Sequence, residues 1–302
     1  MRHKLLRRAL VCLVAACAVT GLAPGGTGAS PAAAATGDPT TCRTQYGGAA
    51  ATVAPGRRIA SGGTVADKVS TVELVMQPDG NLVLYALGRP GGAKLPLWHS
   101  GTWGNPGAYA LMQEDGNFVV YKQGGGPDTG GALWATGTYG TESNPYTGAY
   151  LTGGEFTVEG RSYRGTWWAG TQERHVRICS HLQDRPQASW RPGNWAQSAS
   201  VWLVLQRDGN LVIHRKSDAK VIWSSGTYGA KYPVELFMEP TGDLVLREQD
   251  RDSTVRWHTG TAFNSETYAL LQDDGNFVVY RNTGSGPEWG GALWQSGTYD
   301  KV

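Results

Sequence analysis

The chain has 302 residues, enough for one large domain or two ordinary ones, with 43 glycines, 12 tryptophans and 13 tyrosines against only 5 phenylalanines. That balance implies many tight turns and amphipathic aromatics, as in all-β repeat proteins. The formal charge of +2 includes no basic run, and beyond the N-terminus no stretch approaches the roughly 18 apolar residues of a membrane helix, which argues against nucleic acid as the partner and against a helical membrane span.

Residues 1–35 read as a secretory signal peptide. Arg2, Lys4, Arg7 and Arg8 make a basic start, residues 9–19 are apolar, and Ala33-Ala34-Ala35 offers a small-residue cleavage site before Thr36. Removing the four basic residues leaves 27 − 4 = 23 Lys+Arg against 25 Asp+Glu, a net charge of −2. Val14-Ala15-Ala16-Cys17 offers a competing lipoprotein box that would place a lipid on Cys17, but mostly apolar residues run on to Leu22 and favour plain secretion. An N-terminal arm, residues 36–52, follows. The mature chain keeps Cys42 and Cys179, which in an exported protein are expected to form one disulfide. Metal ligation by Cys42, His175, Cys179 and His181 would be the alternative, but their spacing is not that of a zinc knuckle. No metal and no other cofactor is expected.

From there on the chain repeats itself. Six segments end in Trp-x-x-Gly-Thr, starting at Trp98, Trp134, Trp167, Trp223, Trp257 and Trp294. Upstream of each lies Gln-x-Asp-Gly-Asn-apolar-Val-x-Tyr or a worn version of it. Three copies are intact: Gln77, Asp79, Asn81, Val83 and Tyr85; Gln113, Asp115, Asn117, Val119 and Tyr121; Gln272, Asp274, Asn276, Val278 and Tyr280. The copy at Gln206, Asp208, Asn210 and Val212 ends in His214 instead. Two copies keep the glycine but lose the polar set: Leu151, Gly153, Glu155, Thr157 and Glu159 around Gly154, and Glu239, Thr241, Asp243, Val245 and Arg247 around Gly242. Copies start every 33 to 38 residues within two triplets, and a longer gap with Cys179, Pro186, Pro192 and Gly193 separates the third from the fourth. The expected layout is a first domain over 53–175, a linker over 176–187 and a second domain over 188–302. Short β-rich units punctuated by Gly, Pro and Asn would close three at a time around an axis, burying the tryptophans centrally.

Side chains alternate faces along a strand. Gln77, Asp79, Asn81, Val83 and Tyr85 are therefore expected to share an outward face, with Leu82 and Leu84 turned into the core. That face offers amides, a carboxylate and a phenol in a shallow row, with no strong nucleophile and no pair of bases around a reacting centre. A sugar fits such a surface: adjacent hydroxyls are donors and acceptors at fixed spacing, and a site built for one hydroxyl rejects the epimer that cannot satisfy it. Asp-Gly-Asn is also ordinary turn chemistry. Turn chemistry requires only the glycine and a neighbour, however, and the copies that lost the polar set kept the glycine, which separates scaffold from site. A Trp recurring in all six units, worn ones included, belongs to the core.

At these residues the sequence resembles the bulb-type mannose-binding lectins of monocots, whose signature is Gln-x-Asp-x-Asn-x-Val-x-Tyr in three copies per domain. The resemblance covers about residues 53–175 and 188–302. It implies an all-β fold of two tandem type II β-prism domains, each of three four-stranded sheets with pseudo-threefold symmetry. It also implies roles: Asp79 and Asn81 on the axial 2-hydroxyl of mannose, Gln77 on the 3-hydroxyl, Tyr85 on the 4-hydroxyl, Val83 against the ring carbons, and the same roles in the copies at Asp115 and Asp274. The copy at Asp208 and Asn210 departs at His214, and no mannose is expected at the two worn copies. Plant members carry a disulfide within the domain that this chain lacks; Cys42 and Cys179 would instead tie the arm to the inter-domain segment. Family members often exchange the final strand between prisms, so the strand near Trp294 is expected to complete the first prism and the one near Trp167 the second. The expected partners are mannose-type sugars on cell-surface or secreted glycans, with oligomerisation left open. Tandem bacterial members also resemble lectin-like bacteriocins, an antibacterial reading that would use the same sugar sites. A glycosidase would need two carboxyls about 5–10 Å apart across a cleft, and the aspartates here lie on separate repeats.

Overall fold

The computed structural model describes residues 51–67, 71–88, 92–152, 154–161, 166–169, 177–179, 189–264, 267–281 and 291–302, all of them in one compact unit, Ala32–Val302. The signal segment and Cys42 lie outside the described residues, and with them the expected disulfide.

All regular structure among the described residues is antiparallel β-strand, in six sheets. The first prism holds three: β1 (Ala51–Val53), β10 (Gly148–Thr152), β11 (Glu155–Glu159) and β12 (Thr166–Ala169); β2 (Arg58–Ile59), β7 (Tyr109–Met112), β8 (Phe118–Gly126) and β9 (Gly130–Ala135); β3 (Thr64–Ala66), β4 (Val72–Met76), β5 (Leu82–Leu87) and β6 (Lys94–His99). The second holds β14 (Trp195–Gln197), β15 (Val201–Leu205), β16 (Leu211–Arg215) and β17 (Val221–Ser224); β18 (Val234–Met238), β19 (Leu244–Glu248) and β20 (Val255–His258); β13 (Arg177–Cys179), β21 (Thr267–Leu271), β22 (Phe277–Arg281) and β23 (Ala292–Gln295). The sheet of β18 to β20 has three strands, and a single bridge from Trp190 to Leu236 stands where a fourth would lie.

Each sheet turns one face inward, as period-two patterning requires. Leu74 pairs with Leu84 and Met76 with Leu82, and all four are fully buried. Three such faces meet in each prism and make one apolar core apiece. The tryptophans close the axis. In the second prism Trp223, Trp257 and Trp294 form a ring of edge-to-face pairs with centroids 5.6, 5.8 and 5.4 Å apart, the arrangement favoured by the aromatic quadrupole. In the first, Trp98 and Trp134 meet at 5.0 Å.

Two expectations about the chain's course are corrected. Neither terminal strand is exchanged: β12 pairs with β11 (Val158 with Trp167) in the first prism, and β23 pairs with β22 (Val279 with Trp294) in the second. Residues 160–165 alone join β11 to β12, and closing so short a hairpin locally costs far less chain entropy than reaching the other prism. The segment expected as linker also supplies a strand, because β13 pairs with β21 in the second prism (Ile178 with Ala269). Likewise the end of the N-terminal arm enters the fold as β1, pairing Thr52 with Tyr150.

Among the described residues, Trp195, Trp202, Val204 and Ala219 of the second prism pack against the first. Trp195, Trp202 and Val204 are buried within the core cluster of the first prism, and the Trp195 indole donates to the carbonyl of Gly154 at 3.0 Å.

Candidate functional site

The motif is not one extended strand. Gln77 to Asn81 forms a tight hairpin turn joining β4 to β5: the Gln77 amide donates to the Asn81 carbonyl at 2.8 Å, and the Gly80 amide donates back to the Gln77 carbonyl at 3.0 Å. Fully extended, eight residues would hold Gln77 and Tyr85 roughly 26 Å apart. Folding back brings them together, and Gln77 Nε2 donates to the Tyr85 hydroxyl at 2.8 Å. The pairs Gln113–Tyr121 and Gln272–Tyr280 repeat this at 2.8 and 3.0 Å. The expected single row of alternating side chains is thereby replaced by a turn laid against the strand that follows it.

Glycine is required at the head of this turn. Gly80 has φ +94°, and a Cβ there would lie 2.2 Å from the carbonyl oxygen of Asn105, a conformation and a contact that only glycine tolerates. Beside it, Asp79 Oδ1 accepts the Asn81 amide at 2.9 Å, an Asx turn. Asp115, Asp208 and Asp274 do the same for Asn117, Asn210 and Asn276 at 2.9, 3.0 and 2.9 Å.

The asparagine oxygen is an architectural acceptor, which the sequence reading missed. Asn81 Oδ1 accepts the Ser100 hydroxyl at 3.2 Å and the amides of Gly101 and Thr102 at 3.1 Å each. The Thr102 hydroxyl then donates to the Gly80 carbonyl at 2.6 Å. Thr138, Thr227, Thr261 and Thr298 clamp Gly116, Gly209, Gly242 and Gly275 in the same way. The Gly-Thr of Trp-x-x-Gly-Thr is therefore the fastener of its own repeat's turn. A signal was present: a hydroxyl two residues before that Thr recurs as Ser100, Thr136, Ser225, Thr259 and Ser296, and is missing as Ala169 in the copy where Glu155 replaces the asparagine. Worn copy or not, Asp243 keeps the acceptor role, taking the Thr259 hydroxyl at 2.8 Å and the Thr261 amide at 3.0 Å.

With those bonds made, the first two intact copies keep the same polar atoms for a ligand. In the first copy the second carboxylate oxygen of Asp79 and Oε1 of Gln77 can accept, and Nδ2 of Asn81 and the Tyr85 hydroxyl hydrogen can donate. The aspartates stand at the rim: Asp79 and Asp115 are exposed and Asp274 is half-buried. Asn117 is half-buried, while Asn81 and Asn276 are buried to 8 % and 5 % exposure. Asn276 Nδ2 already donates to Gln295 Oε1 at 3.0 Å, so the third intact copy is the most internally occupied. The valines show little surface. Val83, Val119, Val212 and Val278 are all buried, because each lies between paired strands on both sides, Val83 between Val75 and His99. They form the floor beneath the polar groups rather than a patch level with them.

The phenols are held neutral. Burial raises the pKa of Tyr85, Tyr121 and Tyr280; for Tyr121 the neighbouring Tyr109 adds to it, and for Tyr85 the nearby Lys94 partly opposes it. Their cross-strand neighbours differ. Tyr109 stacks on Tyr121 and Tyr268 on Tyr280, with centroids 5.8 and 5.6 Å apart, whereas Tyr85 faces Glu73, which is paired with Lys94.

The fourth copy differs in kind. Gln206 Nε2 lies 3.5 Å from His214 Nε2, at the limit of a hydrogen bond, and His214 Nδ1 contacts the Ala219 carbonyl at 3.0 Å. Burial lowers the imidazole pKa, partly offset by that carbonyl, so the ring is neutral at pH 7 with Nε2 as acceptor. The residue opposite it is Trp202, one of those embedded in the first prism. In the worn third copy, Asn144, Tyr146, Tyr150 and Glu159 line a shallow cavity of about 450 Å³, with none of the motif's polar set.

No family model matches the chain. A mannose-specific lectin of Aloe arborescens is 26 % identical over 96 residues, 32 % of this chain and 78 % of the relative. Among solved structures, a monomeric monocot mannose-binding lectin from Gastrodia elata is 28 % identical, covering 40 % of this chain and 96 % of that one with a TM-score of 0.32. The mannose-specific agglutinin of snowdrop (Galanthus nivalis), solved with methyl-α-D-mannoside, is 25 % identical over 34 % of this chain and 87 % of its own, TM-score 0.29. The two-domain, fetuin-binding agglutinin of Scilla campanulata covers 79 % of this chain and 93 % of its own at 22 % identity, TM-score 0.31. The relatives from Aloe, Gastrodia and snowdrop are themselves described as mannose-specific or mannose-binding.

Proposed function

We propose that the protein is an exported, multivalent lectin that binds mannose-containing glycans through the motif copies at Asp79, Asp115 and Asp274. One observation carries this reading. In three separate hairpins, the Asx turn and the Gln–Tyr bond use one carboxylate oxygen of the Asp, the amide nitrogen of the Gln and the oxygen of the Tyr, and leave the second carboxylate oxygen, the Gln oxygen and the phenol hydrogen for a ligand, with the Asn Nδ2 beside them in the first two copies. Two acceptors beside two donors suit adjacent sugar hydroxyls, which both give and take hydrogen bonds. The similarity to mannose-specific lectins supports mannose as the sugar, and the basic, then apolar, then small-residue N-terminus supports export. Each shallow site should bind weakly, roughly in the millimolar range, with several sites on one body adding about 10²–10⁴ on clustered glycans.

The test is calorimetry and a glycan array on the mature protein beside an Asp79→Ala, Asp115→Ala, Asp274→Ala triple variant. Binding of mannosides that the variant loses supports the proposal. No response to mannosides or mannans, together with a variant indistinguishable from the parent, sinks it.

A further inference from the structure

Four large aromatic rings stand at one position of the repeat. Trp103, Tyr139, Tyr228 and Tyr299 each follow the Thr that fastens a motif turn, and they are 58 to 68 % exposed. Rings so exposed bury little apolar area and contribute little to the fold. The two copies that lost the polar set carry Gln172 and Ala262 at this position. Thr261, next to Ala262, still clamps Gly242 at 2.8 Å, so the fastener works without an aromatic neighbour. At this position the ring therefore accompanies the polar motif and is not needed by the fastener, although the worn fifth copy has an exposed ring one residue further on, Phe263.

The loop bearing the ring is bound to the motif turn on both sides. Thr102 grips Asn81 and Gly80, and the Asn105 amide donates to the Asp79 carbonyl at 2.9 Å. In the second copy Thr138 grips Gly116, and the Gly140 amide donates to the Asp115 carbonyl at 2.9 Å. Trp103 and Tyr139 are thus pinned between two residues anchored to the turn whose carboxylate stands at the rim. In the first copy His99 meets Trp103 edge-on at 5.6 Å, which orients the indole.

We propose that Trp103, Tyr139 and Tyr299 form a second sugar subsite beside their own motif copies. Each would take the apolar C–H face of the neighbouring pyranose in an oligosaccharide whose mannose occupies the polar set. This rests on reading that set as a mannose site. The electron-rich face of an aromatic ring attracts polarised C–H groups, and a flat platform needs no matching hydrogen bonds, so it extends affinity without restricting the linkage.

The experiment compares methyl α-mannoside with a linear mannotriose by calorimetry, using the mature protein, a Trp103→Ala, Tyr139→Ala, Tyr299→Ala variant, and the corresponding all-Phe variant. The parent should prefer the trisaccharide by about three- to tenfold per site. The Ala variant should lose that preference while binding methyl α-mannoside as before, and the Phe variant should retain it. Retention of the preference by the Ala variant overturns the proposal, as does a parent that binds methyl α-mannoside without any preference. Loss of methyl α-mannoside binding in the Ala variant, with an unchanged melting temperature, would instead place the rings in the primary site and overturn a separate subsite. A parent that binds neither sugar removes the mannose reading first and this proposal with it.

Discussion

The Thr138 hydroxyl donates to the carbonyl of Gly116 at 2.7 Å, across 22 residues of sequence, and both residues are buried. Replacing it by Val preserves shape but leaves that carbonyl without its partner. Stripping one side of a buried hydrogen bond costs about 1–3 kcal/mol. Urea denaturation of Thr138→Val should register a loss of that size; an unchanged midpoint would show the fastener to be dispensable.

Gly80→Ala and Gly137→Ala separate two costs. Both glycines have positive φ, but a Cβ at Gly80 meets the Asn105 carbonyl at 2.2 Å, whereas one at Gly137 meets nothing within 4 Å. The backbone term alone is worth about 1–2 kcal/mol. Thermal melts should show Gly137→Ala destabilised by about that much and Gly80→Ala by clearly more, with the turn at Asp79 displaced. Equal melting shifts would refute the crowding argument.

Asn117→Asp should part binding from folding. The oxygen that receives Thr136 and the Gly137 amide at 3.1 and 2.9 Å survives the change, as Asp243 demonstrates in the worn fifth copy. The Nδ2 donor does not survive. The expectation is a melting temperature close to that of the parent and a second site silent towards methyl α-mannoside, read by the stoichiometry of titration. Asn117→Ala should lose both, since it leaves the hydroxyl and amide unpaired.

Acid should weaken the second prism through His214. Burial holds its pKa below the ordinary value of 6.5, so the folded chain takes up the proton less readily than the unfolded one. Stability is then highest above about 6.5 and falls as pH drops from there through the lowered folded value. Chemical denaturation between pH 7.5 and 5 should show that decline, and His214→Gln should flatten it. Parallel curves for the two proteins would assign the acid sensitivity elsewhere.

Much of this architecture is written locally. Leu82 and Leu84 announce their inward face by alternation alone, and the tryptophan spacing announces a threefold axis, which Trp223, Trp257 and Trp294 occupy. The identities of the motif residues were legible as well, but not their arrangement. Alternation describes a strand, whereas Gln77-Pro78-Asp79-Gly80-Asn81 is turn chemistry, and the turn decides that Gln77 touches Tyr85. What depends on distant segments was not legible. The unbroken apolar run of β15, Val201-Trp202-Leu203-Val204-Leu205, signals that both its faces are covered, but nothing near Trp195 or Trp202 says that the first prism is what covers them. The strand exchange failed for a related reason: it was carried over from a resemblance, while the short link over 160–165 and the register of β11 with β12 belong to this chain alone.

Among the described residues, five turns are each fastened by a threonine some twenty residues downstream in their own repeat, so each of these copies carries its main clasp within itself, although Ser200 and Thr267 of neighbouring repeats also bond the turns at Asp273 and Gly242. Substitutions can therefore silence one copy and leave the other pockets intact, as the residues around Gly154 and Gly242 illustrate. Valency becomes a quantity that point mutation can dial up or down, one step at a time, on an unchanging frame. A lineage carrying this chain could retune which glycan arrays it grips by editing hairpins singly, long before any change in topology were needed.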